Sequence, residues 1–473
     1  MKKNKTRTNL IMSIFSKLLI MLQPLIIAPY ISRVLGANGL GMYSFSFVIA
    51  NYFVIFTMLG INNFGNRKIA QVRDNKLELS KTFINIYTMQ LLTGVIASLV
   101  YVIVLVFNRE NSIFIWQALF VVSGIFDITW FFWGVENFKI TIIRNTIIKI
   151  TTLFLIFKFV NNEFDLWIYV AIMAGSSLLS QLFLWPFIKK HLILVKPDFK
   201  DVRKMIKPNL ILFLPVVAIS LYKQLSKLLL GILSTMPQLA LFENAARINL
   251  LPFGILNAFS NVMLPKMSNM AVKDNFEETK KIIRKSMFVV MGFAFATAFG
   301  FAAIGRDFAP LFFGIEFSDS GLLIVILTPS IVFLSWANII RTQYLIPFEK
   351  DKIFITSIIL AAVINVVFNI FTLSWLGAIG AAISSMLAEA VVAIYQTVKV
   401  RRDLEISLYL KDSSIFMIAG ILMYLSVMFF KNFINENSWF FLISKMLIGS
   451  IVYAGTTVIL FFFNNKKNLL RND

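Results

Sequence analysis

Cysteine is absent from this chain of 473 residues, and histidine occurs only once, as His191. The lack of cysteine excludes disulfides, thiolate metal ligands and cysteine nucleophiles. A single histidine, which lies in a basic segment, also excludes histidine relays and histidine-rich metal sites. We therefore predict no metal centre and no catalytic residue, and we expect His191 to be a solvated surface residue.

Charged residues are also scarce, at 15% of the chain, whereas 58% of the residues are hydrophobic and the mean hydropathy is +0.79. Soluble globular domains rarely have this composition. Apolar runs of about 20 residues, the length that crosses a bilayer as helix, recur along the whole chain. The composition therefore predicts an all-α polytopic membrane protein.

The apolar runs predict about fourteen transmembrane helices. They are placed at 10–34, 41–66, 82–107, 112–135, 140–160, 166–188, 208–233, 238–264, 286–305, 320–341, 353–374, 378–399, 412–430 and 438–463. The first two form a hairpin around a turn of small residues at 36–41. No connection is long enough for a soluble domain, so the function must lie among the helices.

The formal net charge of +21 could indicate nucleic-acid binding, but the basic residues lie in short connections between apolar runs. Roughly 35 of the 45 lysines and arginines fall in connections on one side of the predicted membrane. This bias predicts that both termini are cytoplasmic and that nucleic acid is not a partner.

The chain also contains a weak internal repeat of about 200 residues. TNLI at 8–11 matches PNLI at 208–211, VRDN at 72–75 matches VKDN at 272–275, and SSLLSQ at 176–181 matches SSMLAE at 384–389. Repeats of this size indicate a pseudo-symmetric transporter with substrate between two lobes. We expect a first lobe at 1–193, a linker at 194–207, a second lobe at 208–403 and two additional helices at 404–473.

Several motifs resemble those of the Wzx-type polysaccharide flippases, a branch of the multidrug/oligosaccharidyl-lipid/polysaccharide exporter superfamily. They are PYISRVLGANGLGMYSF (29–45), LGINNFGNRKIAQVRD (59–74), FDITWFFWGVENFK (126–139), RNTIIKI (144–150), QYLIP (343–347) and the AE pair at 388–389. The similarity covers nearly the whole chain, and the first two motifs are the most specific.

The resemblance implies two six-helix lobes, as in MATE exporters and MurJ, around a cation-lined cavity. It also implies that the substrate is a polyprenyl-pyrophosphate-linked oligosaccharide, moved by alternating access across a bacterial inner membrane. The implied partners are this substrate, membrane lipids, and a polysaccharide polymerase with chain-length machinery. One departure is Tyr222-Lys-Gln-Leu-Ser226-Lys227, where the family commonly has an aspartate at the position of Ser226.

Ionisable residues inside the spans are candidate functional residues, since each costs about 2.5–3.5 kcal/mol to insert without a partner or a cavity. We predict a cationic binding surface for the pyrophosphate formed by Lys17, Arg33, Lys223, Lys227 and Arg247. A pyrophosphate requires a surplus of positive charge because its oxygens exchange water for charge-assisted hydrogen bonds. The alternatives are a self-contained Glu243–Arg247 ion pair, and lysines at 223 and 227 that extend to the outer interface.

The embedded acids are candidates for binding a coupling ion, H⁺ or Na⁺. They are Asp127, Glu243 and Glu389. We expect Lys445 to contact lipid headgroups, and Trp130–Trp133 to form an interfacial aromatic belt in preference to a sugar-stacking surface.

Other functions remain open at this stage. A lipid II flippase or a cation-coupled drug exporter would share the fold, although an exporter of cations would be expected to have an acidic cavity. A polysaccharide polymerase or ligase would usually carry a large extracytoplasmic loop, which this chain lacks. No Walker, Asp-x-Asp or zinc motif is present.

Overall fold

The computed structural model describes residues 2–108, 112–272, 275–431 and 438–469, without the side chains of 2–22, 214–215, 218–219, 221–223, 258, 261, 431 and 464–469. Within these ranges the chain forms sixteen α-helices and no strand. The helices are α1 (Lys2–Met58), α2 (Ile61–Val72), α3 (Lys76–Phe107), α4 (Ile113–Ser123), α5 (Thr129–Gly134), α6 (Phe138–Phe159), α7 (Leu166–Leu182), α8 (Trp185–Ile188), α9 (Phe199–Leu233), α10 (Met236–Val272), α11 (Phe276–Phe313), α12 (Ser320–Ile340), α13 (Asp351–Leu376), α14 (Ala378–Val400), α15 (Ile406–Lys431) and α16 (Trp439–Leu469).

In the part of the chain that the structure describes, eleven segments are long and apolar enough to cross a membrane. The all-α polytopic fold is therefore confirmed. The count of about fourteen stays a prediction, because the first two predicted spans are one helical element in the structure and the fourth is split into α4 and α5.

The chain divides into two compact units, Met1–Gln224 and Leu225–Asp473. The core of the first unit is formed by buried side chains of α2, α3 and α5 around Trp130, Phe131 and Phe132. In the second unit, Ile304 of α11 packs with Val427 of α15 and Leu442 of α16. The lobe limits expected from the repeat remain a prediction.

The predicted hairpin between the first two spans has its turn at one residue. Gly36 has φ 67° and ψ 178°, a conformation essentially restricted to glycine, while residues on both sides are helical. Before Gly36, the Tyr30 hydroxyl donates to the carbonyl of Val160 over 2.7 Å; after it, the Tyr43 ring lies 4.7 Å from the Tyr169 ring. The two arms therefore lie near the end of α6 and the start of α7.

The second span, predicted at 41–66, is wrong at its C-terminal end. The helix ends at Met58, and α2 follows after Leu59 and Gly60, which both have positive φ. A Cβ at Gly60 would lie 3.0 Å from the backbone nitrogen of Phe213, so the close approach of α9 also requires glycine here. The basic segment expected to be a loop is the amphipathic helix α2, because its apolar residues can be buried against α5.

The fourth span, predicted as continuous over 112–135, is interrupted at 124–128. Gln90 of α3 satisfies the backbone carbonyls that this break exposes, since its Nε2 donates to Gly124, Ile125 and Asp127 over 2.8, 3.2 and 2.9 Å. Trp185 donates to the carbonyl of Phe126 over 3.1 Å. A helix can break at membrane depth only where protein groups replace the lost hydrogen bonds.

The helices at 404–473 pack on α11. The Tyr453 hydroxyl donates to the Gly292 carbonyl over 2.7 Å. The expectation that Lys445 contacts headgroups is wrong: its side chain is 4% exposed and its Nζ lies 2.9 Å from a carboxylate oxygen of Asp307. The acid on α11 keeps this lysine inside the helix bundle, because an unpaired buried charge is expensive.

Candidate functional site

An ion cluster of Lys227, Glu243 and Arg247 joins α9 and α10 in the second unit. Glu243 lies 2.5 Å from Lys227 Nζ and 3.4 Å from Arg247 Nη2. The three side chains are only 16–25% exposed. Two cations share one acid, so the cluster has a formal charge of +1 in a partly desolvated place, where anions interact strongly with it.

The structure brings these three predicted residues together because of two features of the sequence. Glu243 and Arg247 are four residues apart on α10 and so lie on one helical face. Only Ser234 and Thr235 separate α9 from α10, which places Lys227 beside them. Whether this cluster binds substrate stays a prediction.

The other predicted cations are not part of the described cluster. Lys17 and Lys223 lie on α1 and α9, but their side chains are outside the described residues. Arg33 is exposed on α1, three residues before Gly36. The Arg33 side chain is therefore at the end of the unit where the first hairpin turns.

Ser226, which precedes the ion cluster by one residue, belongs to a buried neutral network. Its hydroxyl donates to Asn365 Oδ1 and accepts from Asn369 Nδ2, both over 3.0 Å. Ser384 of α14 donates to Asn369 Oδ1 over 2.7 Å. Where the flippase family that the chain resembles commonly has an aspartate, this chain therefore has a hydroxyl held by amides, which links α9, α13 and α14.

The sequence predicted that Asp127 lies inside a continuous span. In the structure it lies in the break between α4 and α5. Its Oδ1 accepts from the backbone nitrogen of Thr129 over 2.9 Å, which satisfies a free backbone donor at the first residue of α5. Arg144 of α6 is close enough to Asp127 for an electrostatic interaction. A coupling ion bound by Asp127 would therefore share its carboxylate with this backbone hydrogen bond.

Arg144 is a buried cation that the sequence analysis missed. It is 5% exposed, and its Nη1 donates over 3.1 Å to both Thr129 Oγ1 and Gln181 Oε1. Lys149, also on α6, donates to buried Gln23 of α1 over 2.7 Å. The available signal was that both residues lie inside the predicted fifth span at 140–160, with Lys149 nine residues from its start.

Glu389 of α14 faces Arg341, the first residue of a π-helical turn at Arg341–Leu345. Arg341 Nη2 donates to Asn338 Oδ1 over 2.5 Å. π-helical turns are frequent at functional sites. With Asp127 beside Arg144 and Glu243 beside two cations, each of the three acids predicted to bind a coupling ion has a basic neighbour in the described chain.

The repeated motifs SSLLSQ and SSMLAE have corresponding contacts in the two units. Ser176 accepts from Thr152 of α6 over 2.8 Å, and Ser384 donates to Asn369 of α13 over 2.7 Å. The last residues of the motifs, Gln181 and Glu389, each face an arginine. In each unit, the serine ties its helix to the preceding one, and the amide or acid five residues later faces a cation.

The aromatic belt expected at Trp130–Trp133 is wrong for three of the four residues. Trp130, Phe131 and Phe132 are fully buried, and Trp130 Nε1 donates to Gln90 Oε1 over 3.0 Å. His191 is half-buried, with its ring 5.8 Å from that of Phe131. Burial, followed by the charges of Lys76 and Lys190, lowers the pKa of His191, so it is neutral at physiological pH and is not the solvated surface residue that was expected.

Comparison with known families places residues 6–271 within the model of a family described as polysaccharide biosynthesis protein. This match covers more than half of the chain and includes α1 to most of α10. It contains the ion cluster, Asp127 and Arg144.

Three individual proteins show the range of similarity. The putative O-antigen transporter of Escherichia coli K12 is 24% identical over 393 residues, which are 81% of this chain and 93% of that protein. The probable low-salt glycan biosynthesis flippase Agl15 of Haloferax volcanii is 20% identical over 289 residues, 61% of each chain. Among solved structures, the lipid II flippase MurJ in an inward-closed conformation matches with a TM-score of 0.69 at 18% identity, over 95% of this chain and 98% of that one. The fold is therefore MurJ-like.

Proposed function

This chain belongs to the polysaccharide biosynthesis protein family, and from this premise we propose that it is a flippase for lipid-linked oligosaccharides. It moves a polyprenyl-pyrophosphate-linked repeat unit from the cytoplasmic to the outer leaflet of a bacterial inner membrane. The names of the E. coli and Haloferax relatives, an O-antigen transporter and a glycan biosynthesis flippase, support this substrate class. The protein is a transporter and not an enzyme.

The ion cluster of Lys227, Glu243 and Arg247 is the observation that carries the proposal. A pyrophosphate bears several negative oxygens, and it needs more cationic donors than a balanced ion pair supplies. Glu243 orients both basic side chains but neutralises only one of them. The surplus charge is available to an anionic headgroup, whereas a cation-coupled drug exporter would require surplus acid.

The direction of transport follows from the distribution of basic residues. The basic linker and the N-terminal basic segment lie on the side of the membrane that the positive-inside rule assigns to the cytoplasm. Both termini are then cytoplasmic, and the turn at Gly36 lies on the outer side. A polymerase with chain-length machinery would receive the substrate there.

A coupling ion would bind next to a resident basic side chain. Asp127, Glu243 and Glu389 each have such a neighbour, so H⁺ or Na⁺ must compete with an arginine or a lysine for the carboxylate. If the basic side chain leaves the carboxylate to bind the anionic substrate, the carboxylate can bind the ion. Ion binding and substrate binding would then be linked.

Export of glycan in a strain that lacks its own flippase tests the proposal. We expect the double variant Lys227→Met/Arg247→Met to reduce surface glycan at least tenfold at equal membrane abundance. Lys158→Gln is the matched control, since Lys158 is an exposed cation at the end of α6 that lies 5.6 Å from the Phe154 ring. Full export by the double variant would disprove a role for the cluster, and no export by the wild type would disprove the proposed substrate class.

A further inference from the structure

The basic segment that leads into α9, within the first unit, carries an exposed surface that the proposed transport path does not use. This linker surface comprises residues 189–207, with seven basic and two acidic residues. All seven basic side chains are exposed: Lys189, Lys190, Lys196, Lys200, Arg203, Lys204 and Lys207. Only Lys204 forms an ion pair among the described residues, with Asp201.

The first unit holds the backbone of this segment in place. The backbone nitrogen of Ile193 donates to Ser80 Oγ over 3.0 Å, and that of Asp198 donates to Asn85 Oδ1 over 2.9 Å. Ser80 and Asn85 are buried on α3. The residues between these two anchors, including Leu194 and Lys196, are therefore presented outward on a fixed backbone.

Exposed apolar side chains accompany the charges. Leu194 is fully exposed and Phe199 is 66% exposed. Apolar side chains of this size are usually buried, even when their segment faces water. On α9, Phe199, Ile206 and Leu210 are exposed and follow one helical stripe, which contains Arg203 and is flanked by Lys200 and Lys207. Val202 and Asn209, about a quarter of a turn from this stripe, are buried.

The position of the stripe suits a membrane interface. Leu210 begins the apolar part of α9, and Arg203 precedes it by about 10 Å of helix. The headgroup layer extends about 5–8 Å beyond the hydrocarbon on each side, and an arginine or lysine side chain spans the remaining distance. The basic groups can thus reach lipid phosphates, and Ile206, about 6 Å of helix before Leu210, lies at the depth of the headgroups.

Positive charge also converges on this surface from α3. Burial is the largest cause that lowers the pKa of His191. The positive charges of Lys76, at the start of α3, and of Lys190 lower it further. Such a concentration of like charge destabilises the folded chain unless anions neutralise it.

We propose that the linker surface binds anionic phospholipid headgroups of the cytoplasmic leaflet, such as phosphatidylglycerol. The lysines and arginine bind phosphate, and the exposed side chain of Ile206 packs among the headgroups. This binding ties the segment that leads into α9 to the membrane, and it does not depend on the proposed substrate.

The test measures the apparent affinity of the purified full-length chain for phosphatidylglycerol, from the lipid-bound fraction in native mass spectra. Each basic residue near an anionic surface contributes enough that losing Arg203 and Lys207 should weaken binding about ten- to thirtyfold. The Arg203→Gln/Lys207→Gln variant should also show a smaller dependence on salt. Ile206→Ser should weaken binding without changing the salt dependence.

The matched control is Lys281→Gln/Lys285→Gln. These residues are exposed, four apart and at the start of α11, but they follow the acids Glu277 and Glu278. We expect this control to change the affinity less than twofold. Equal affinity for phosphatidylcholine and phosphatidylglycerol, or an unchanged affinity in Arg203→Gln/Lys207→Gln, would overturn the proposal.

A polyprenyl pyrophosphate probe separates this surface from the substrate site. If Arg203→Gln/Lys207→Gln loses affinity for the pyrophosphate lipid and keeps its affinity for phosphatidylglycerol, the surface serves the substrate and the proposal is wrong. Lys227→Met/Arg247→Met should bind phosphatidylglycerol normally even when export fails. Failure of the lipid-binding proposal can thus be distinguished from failure of the proposed flippase function.

Discussion

Glu243 forms ion pairs with two cations, so its contribution to the stability of the protein differs from that of either basic partner. Removal of Lys227 leaves the Glu243–Arg247 pair, and removal of Arg247 leaves the Glu243–Lys227 pair. Removal of the acid leaves two positive charges next to each other in a partly buried place. The order of effects on stability is therefore predictable from the geometry.

We predict that Glu243→Gln lowers the free energy of unfolding more than Lys227→Met does. The expected loss is about 1–3 kcal/mol, below the value for fully buried pairs because the side chains are partly solvated. Thermal unfolding in detergent micelles at neutral pH measures it. A smaller loss for Glu243→Gln than for Lys227→Met would contradict the shared-acid geometry.

The predictability of single residues depended on whether their partners were near in sequence. Glu243 and Arg247 could be paired from their spacing, and Lys227 from the short connection between α9 and α10. Arg144 could not be placed, because its partners Thr129 and Gln181 come from other helices. For the same reason the pairing of Lys445 with Asp307, on α11, was not foreseen.

At the level of helices, apolar runs predicted where elements exist but not where they break. The interruption at 124–128 depends on Gln90, which lies about 35 residues earlier and donates to three carbonyls there. Hydropathy does not detect such a partner, since the residues of the break are themselves mostly apolar. The hairpin turn was foreseen because small residues cluster at 36–41, although only Gly36 leaves the helical conformation.

Gly36→Ala should destabilise the first unit, because its φ and ψ are nearly inaccessible to other residues. The expected cost is about 1–3 kcal/mol. Gly175→Ala is the matched control in the same unit, since a Cβ there would meet nothing within 4 Å and the position is helical. Thermal midpoints of the two variants in micelles give the comparison, and equal midpoints would refute the strained turn.

At the scale of the whole molecule, the predicted family and fold are confirmed. The motifs near 29–45 and 59–74 were specific enough to indicate the family, and the family model covers both. The MurJ-like structural match agrees with the predicted all-α polytopic fold. The limits of the lobes and the functional roles of the predicted site residues stay predictions, because they depend on states and ligands that a sequence does not encode locally.

The proposed orientation can be measured directly because the chain has no cysteine. We predict that a membrane-impermeant maleimide labels Ile315→Cys in intact cells and does not label Leu194→Cys. Both positions are highly exposed, so reactivity reports the side of the membrane. In inverted vesicles the pattern should reverse, and labelling of Leu194→Cys in intact cells would show that the orientation is wrong.

Translocation by the purified protein in lipid vesicles is the most direct test of the central claim. A polyprenyl-pyrophosphate-linked oligosaccharide is placed in one leaflet, and its appearance in the other is followed with an impermeant glycosidase. We predict translocation by the wild type well above protein-free vesicles, and at least a tenfold lower initial rate for Lys227→Met/Arg247→Met. Movement of the glycolipid at equal rates with the wild type, the double variant and no protein would contradict the claim.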